Sequence, residues 1–167
     1  MRLRYGDDVL VAYWVAARIP HMESGADFGP CKAIGVENSR GELIGGVVYH
    51  NYMPVVGNIE LSFAADTAKW LTRPIICGLL SYPFDQLQCQ RVTGVTPRRA
   101  TSARRFLDQF GFKREGCVRR GFGTDHAIIS GLLREEWQAS KWARPRPPRQ
   151  VSAGVAHGIE EQDGHAA

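Results

Sequence analysis

The chain of 167 residues contains no stretch approaching the roughly 20 consecutive apolar residues that a membrane-spanning helix requires. Its opening, "MRLRYGDDVLVAYW", holds only a short apolar run interrupted by Tyr and Trp and preceded by Asp7 and Asp8. It lacks the uninterrupted apolar centre and small-residue cleavage site of a secretory signal. Paired cysteines are missing as well. Cys31, Cys77, Cys89 and Cys117 form no C-x-x-C pair, and no histidine lies beside one at metal-ligand spacing. These absences predict reduced thiols, a cytoplasmic protein, no membrane partner and no bound metal. Extreme charge is also lacking. A net charge of +4, with 23% charged residues, leaves room for a polyanionic ligand but does not by itself argue for nucleic acid.

What is present is 44% hydrophobic sequence, enough at this length for one domain with a real core. No internal repeat is visible. Gly6-Asp7-Asp8 marks a helix start, "VLVAYWVAARI" follows as a helix, and Pro20 ends it. Residues 21–30 read as a loop. "CKAIGVEN" and "ELIGGVVYHNY" read as strands of a hairpin around the turn "SRG". "VGNIELSFAAD" is a third strand, with Ile59, Leu61 and Phe63 on one face and Glu60 and Ser62 on the other. Pro74 opens a helix, "PIICGLLSYPFDQLQ", which Pro83 should kink or end. "QRVTGVTP" is a strand. "ATSARRFLDQF" is a helix carrying Ala103, Phe106, Leu107 and Phe110 on one face, and Gly111 stands where a left-handed cap belongs. "FKREGCVRRGF" and "DHAIISGLL" are two further strands. After Trp142 the sequence turns rich in Pro, Arg and Gly, so the reading is a domain over residues 1–142 and a flexible tail over 143–167. The order of elements predicts an α+β fold, a mostly antiparallel sheet of six to seven strands flanked by three to four helices.

The run "QLQCQRVTGVTPRRATSARRFLDQFGFKREGCVRRGF", followed by "GLLREEW", resembles the GNAT N-acetyltransferase superfamily. Within it, the chain is most similar to the branch that acetylates ribosomal-protein N-termini. The resemblance extends from Leu3 to Trp142 and is strongest after Trp70. It implies a direct, ternary-complex transfer of an acetyl group from acetyl-CoA to a primary amine: a protein N-terminus, a lysine or a small amine. It also implies a splay in the sheet, with the acyl-pantetheine arm lying along Leu61, Ser62, Phe63 and Ala64. Backbone amides near Ser62 and Phe63 would then polarise the thioester carbonyl.

Such proteins usually cradle the CoA pyrophosphate with a Gly-rich turn at a helix N-terminus. Here that place reads "DTAKWLTRP", without glycine. Lys69, Trp70, Leu71, Thr72 and Arg73 are the corresponding residues: Lys69 and Arg73 supply cations, and Thr72 can cap the helix. The family often has Asn and Ser at the positions of Ala100 and Ala103. Arg99 and Arg104, among the four arginines there, are assigned instead to the 3′-phosphate. The resemblance assigns Glu60 as general base, acting through a water, with His50 or Tyr49 as the substitute and Asp125 and His126 on the acceptor side. The family's tyrosine acid is absent at Leu107, which leaves Tyr82 or water to protonate the leaving thiolate. The acceptor itself would lie between the loop 21–30 and the hairpin near Asn51, Tyr52, Met53 and Pro54. The protein is expected to act as a monomer or homodimer.

Two other readings compete. A scaffold of this fold whose phosphate loop has degenerated would bind or regulate a partner without catalysis, and CoA affinity separates it from an enzyme. A nucleic-acid factor would use the "RPRPPR" tail and show salt-dependent binding that truncation at Trp142 abolishes.

Overall fold

Seven strands form one sheet in the order β1-β2-β3-β4-β5-β7-β6 in the computed structural model, which describes residues 1–143. They are β1 (Arg2–Arg4), β2 (Lys32–Glu37), β3 (Leu43–Met53), β4 (Asn58–Ala65), β5 (Arg91–Pro97), β6 (Lys113–Phe122) and β7 (Asp125–Leu133). The helices are α1 (Asp8–Ala16), α2 (Arg73–Ser81), α3 (Thr101–Gln109) and α4 (Arg134–Ala139), with a short 3-10 turn at Gly25–Phe28. Every strand pairing is antiparallel except β4 with β5. The α+β architecture is therefore the one expected. The proposed tail, beyond Ala143, lies outside the described residues.

Alternation along the strands builds two cores, one on each face. Ile59 and Leu61 of β4, with Val47 and Tyr49 of β3, pack with α2 and α3. Val48 and Ala33 pack with Val11, Val15 and Phe28 beneath α1 and the 3-10 turn. α1 is apolar around most of its circumference, so Val9 (72% exposed), Leu10 and Tyr13 remain on the surface while Val11 and Val15 are fully covered. Near its start, Asp8 accepts the Ala33 N–H (2.9 Å) and Lys32 Nζ (2.7 Å), which ties α1 to β2.

The end of α3 follows the chemistry of its sequence. Gly111 adopts φ +89°, a value that an L side chain rarely adopts. Its N–H donates to Asp108 O (3.1 Å), and the Phe112 N–H donates to Leu107 O (3.1 Å). These paired bonds are a Schellman cap, and the two apolar residues of the motif, Leu107 and Phe112, are both buried in the same core. The helix stops on Gly-Phe because glycine turns the chain and Phe112, 4% exposed, enters the core. Pro83 likewise sits in a widened turn over Tyr82–Gln86 that closes α2.

Three elements escape the sequence pattern. β1 is three residues long, too short for a period to show. The 3-10 turn is held by Ser24, whose side chain accepts from Ala26 N (3.1 Å), inside a segment read as loop. α4 is six residues and charged at its start; Glu136 accepts the Leu133 N–H (3.0 Å) and Trp137 is buried.

Candidate functional site

The parallel pairing of β4 with β5 runs from Asn58↔Arg91 to Leu61↔Gly94 and stops there. Beyond that point β4 still pairs with β3, and β5 still pairs with β7. The two strands therefore diverge with backbone groups of each left facing a gap, which is the splay expected from the resemblance. The gap holds a cleft of about 520 Å³, bordered by Leu61, Ser62 and Phe63 on one wall and Thr96, Ala100 and Ala103 on another. Thr96, which borders the cleft, carries an Oγ1 that is covered and has no hydrogen-bond partner among the described residues. The space, the free strand edges and the orphan hydroxyl suit an extended amide-bearing ligand such as the acyl-pantetheine arm.

A second cavity, of about 310 Å³, adjoins the first and shares Leu61, Ser62, Val95, His21 and Phe122 with it. It also carries Glu60, His50, Asp27 and Phe28. Its roof is a contact the sequence did not show: His21, just past α1, rests on Phe122 of the β6–β7 hairpin with ring centroids 4.4 Å apart. His50 and Glu60 are cross-strand partners on the α1 face. The imidazole lies against Phe28 (centroids 5.3 Å), and its Nε2 is 3.0 Å from Ser62 Oγ. The strand irregularity just after His50 places Asn51 at φ +49°, and Asn51 joins the lining of this cavity, whereas Tyr52, Met53 and Pro54 of the same hairpin do not. The loop 21–30 also contributes, through His21, Met22, Asp27 and Phe28.

Burial holds the His50 imidazole below its ordinary value, and the neighbouring Glu60 carboxylate opposes that only in part. Burial lowers His21 as well. A histidine depressed in this way takes up its proton more readily in the unfolded chain. Its contribution to stability is therefore complete above the unfolded value of 6.5 and is lost as pH falls through the folded one. The melting temperature should drop as pH falls below 6.5, and His50→Gln should flatten that slope. The depressed carboxylates of Asp8, Glu37, Asp66, Asp125 and Glu136 act in the same direction but at lower pH. An unchanged slope in His50→Gln would assign the titration elsewhere.

Several expected site residues fall elsewhere. Tyr49 faces the opposite side of the sheet from His50, is 1% exposed, and donates from its hydroxyl to Leu79 O (2.7 Å). Consecutive strand residues point to opposite faces, so the two cannot serve one amine. Tyr82 packs on Tyr49 (centroids 4.9 Å) and borders neither cavity. Asp125 lies on the cleft rather than in the second cavity. Its carboxylate accepts the N–H groups of Arg99 and His126, both at 2.8 Å, and the first of these is the main cause of its lowered pKa. His126 Nδ1 accepts the Arg120 N–H (3.0 Å), which fixes the hairpin.

The phosphate-loop residues divide. Lys69 and Arg73 are exposed at the start of α2, and Thr72 occupies the N-cap position with extended backbone. The Thr72 side chain makes no capping bond, contrary to expectation, so the helix's first N–H groups gain no partner from it. Trp70 is 3% exposed in the core, its ring laid over Gly45, where a Cβ would collide with it. It stacks on Phe106, which stacks on Phe63. Leu71 packs against the same core. Arg99 borders the cleft, and Arg104 has its Nε buried without a partner. Arg18 was not anticipated. It borders the cleft and clamps Asp66 through Nε (2.6 Å) and Nη2 (3.0 Å), fastening the end of α1 to the exit of β4. The pair is separated by 48 positions, so no local pattern announces it.

Solved structures share this arrangement. A dodecameric spermidine N-acetyltransferase from Vibrio cholerae superposes with a TM-score of 0.67 at 15% identity, over 83% of this chain and 96% of that one. The fold is that of the GNAT acetyltransferases. Another structure of the Vibrio cholerae enzyme SpeG, in complex with manganese ions, gives 0.66 at 16% identity over 82% and 94%. A protein described as a probable acetyltransferase gives 0.57 at 25% identity over 67% and 65%. No protein-family model matches the sequence, and no curated protein does. Among the described residues no helix is long and apolar enough to cross a membrane.

Proposed function

We propose that the protein is an acetyl-CoA-dependent N-acetyltransferase acting on a primary amine in a ternary complex. The observation that supports this reading best is the junction of the two cavities at Ser62. One is a cleft opened by the β4–β5 divergence, and the other is an acidic chamber containing Glu60. When bound, the thioester supplies the acyl group. The chain's residues do the rest. Backbone groups of β4 beyond Leu61 that face away from β3 bind and orient the arm. Lys69, Arg73 and the N-terminus of α2 hold the pyrophosphate, and Arg99 and Arg104 meet the 3′-phosphate. Glu60 attracts the ammonium and takes a proton from it, directly or through a water. His50, whose burial disfavours its charged form, adds little positive charge to the chamber. The Phe122–His21 roof shields the chamber from bulk water.

The Asp27 and Glu60 carboxylates suit a cationic acceptor. Two candidates merit assay: spermidine, named for the Vibrio cholerae neighbours, and a peptide N-terminus, suggested by the sequence resemblance to the ribosomal-protein branch. The reading keeps the protein in the cytoplasm as a monomer or homodimer, and light scattering tests the latter.

Titration calorimetry with CoA tests the core of the proposal. The wild-type protein should bind, and the double variant Lys69→Glu, Arg73→Glu should bind about tenfold more weakly or worse. Its melting temperature should hold, because both side chains are exposed. Equal affinity in the variant would remove these cations from the pyrophosphate site. Failure of the wild type to bind CoA would favour the non-catalytic scaffold.

A further inference from the structure

Thr96 is 6% exposed, borders the cleft, and carries a hydroxyl with no hydrogen-bond partner among the described residues. A buried hydroxyl left unbonded is costly, and such groups usually mark a place where something else binds. The surroundings sharpen the point. Thr96 lies on the same face of β5 as Gly94, whose Cα is tightly covered by Leu107 of α3. Ala100 and Ala103 beside it on the cleft offer no hydrogen-bonding side chain, and the Asp125 carboxylate on the same cleft already accepts the N–H groups of Arg99 and His126. Pro97 also lacks a backbone N–H, so β5 loses a donor just where it parts from β4.

Position selects the ligand atom. Thr96 stands two residues past Gly94, the last residue of β5 paired with β4, which is about 7 Å at the ordinary strand rise. An acyl-pantetheine arm whose thioester sits at the divergence point places its first amide, a two-carbon link from the sulfur, along this stretch. We propose that the Thr96 hydroxyl, covered in the ligand-free fold, turns about χ1 toward the cleft and acts as a positioning group that hydrogen-bonds this amide, which sets how far the thioester reaches toward the acceptor chamber. The inference rests on the acyl-CoA reading above and extends it to a residue that replaces the polar side chains missing at Ala100 and Ala103.

Three full-length proteins decide the matter: wild type, Thr96→Val and Thr96→Ser. Two probes are titrated into each, CoA and adenosine 3′,5′-bisphosphate, which lacks the arm. In Thr96→Val the affinity for CoA should fall about tenfold while that for the nucleotide is unchanged. Thr96→Ser should restore CoA binding. The melting temperature of ligand-free Thr96→Val should stay level or rise, since an isosteric methyl replaces an unbonded hydroxyl. Loss of stability and of both affinities together in Thr96→Val would mean that the hydroxyl serves the fold and not the arm, and that result overturns the proposal. Equal CoA affinity in wild type and Thr96→Val overturns it too. If the wild type binds neither probe, the acyl-CoA reading itself fails, and the assignment of Thr96 falls with it.

Discussion

Turnover of acetyl-CoA with its accepting amine is expected to fall by about 10²- to 10⁴-fold in Glu60→Gln, the range that a positioned acid–base group contributes. The amide keeps the shape of the carboxylate and removes its charge and basicity. Glu60 sits on the α1 face of β4, opposite His50 and beside Ser62, one of the residues shared by the two cavities. The cleft that would hold the arm does not include the Glu60 side chain, so CoA affinity should be little changed. A loss confined to kcat marks an interaction made in the transition state, whereas a rise in KM alone would mark simple attraction of the cation. Spermidine and a peptide N-terminus should both be assayed, because a variant tested on the wrong acceptor reports nothing about the base. Near-normal turnover with an acceptor that the wild type uses would remove Glu60 from the chemistry and pass the role to His50.

Trp70→Ala should cost about 3–5 kcal/mol of folding stability, the usual penalty for emptying a buried aromatic site. That is a large share of a typical domain's total, and the melting temperature should fall on the order of 10 °C. The ring covers Gly45 and stacks on Phe106, with centroids 5.7 Å apart. Phe106 in turn stacks on Phe63 at 4.2 Å, so one deletion loosens the packing between the α2 approach, α3 and β4. Gly45→Val should be destabilising for the complementary reason, because any Cβ at that position runs into the indole. Chemical denaturation measures both. A loss below about 1 kcal/mol in Trp70→Ala, coupled with weakened CoA binding, would return Trp70 to the ligand site where sequence comparison first placed it.

Much of this molecule was legible in one dimension. Residues 58–65 alternate plainly, and the structure puts Ile59 and Leu61 in one core and Glu60 and Ser62 on the other face, as that alternation requires. Gly111 announced its cap because few residues other than glycine tolerate φ +89°. Pro74 and Pro83 bracket α2 through the same local logic, which depends on steric rules within a few residues. Even the separation of Tyr49 from His50 was implicit in the strand period.

The tertiary structure decided what depends on distant partners. Whether Trp70 served a ligand or a core could not be read from a loop without periodicity. The answer lay in Gly45, a residue on β3 that leaves room for an indole. Arg18 met Asp66, and His21 met Phe122, only because the sheet order brings the end of α1 beside the β4 exit and under the β6–β7 hairpin. The sequence by itself determined the elements, their faces and the glycine and proline positions, since backbone sterics and apolar period act over short range. The cleft, its shared boundary with the acidic chamber and the unbonded hydroxyl of Thr96 arise from how far β4 and β5 remain paired. That limit is set by packing across the whole sheet, which no local stretch encodes.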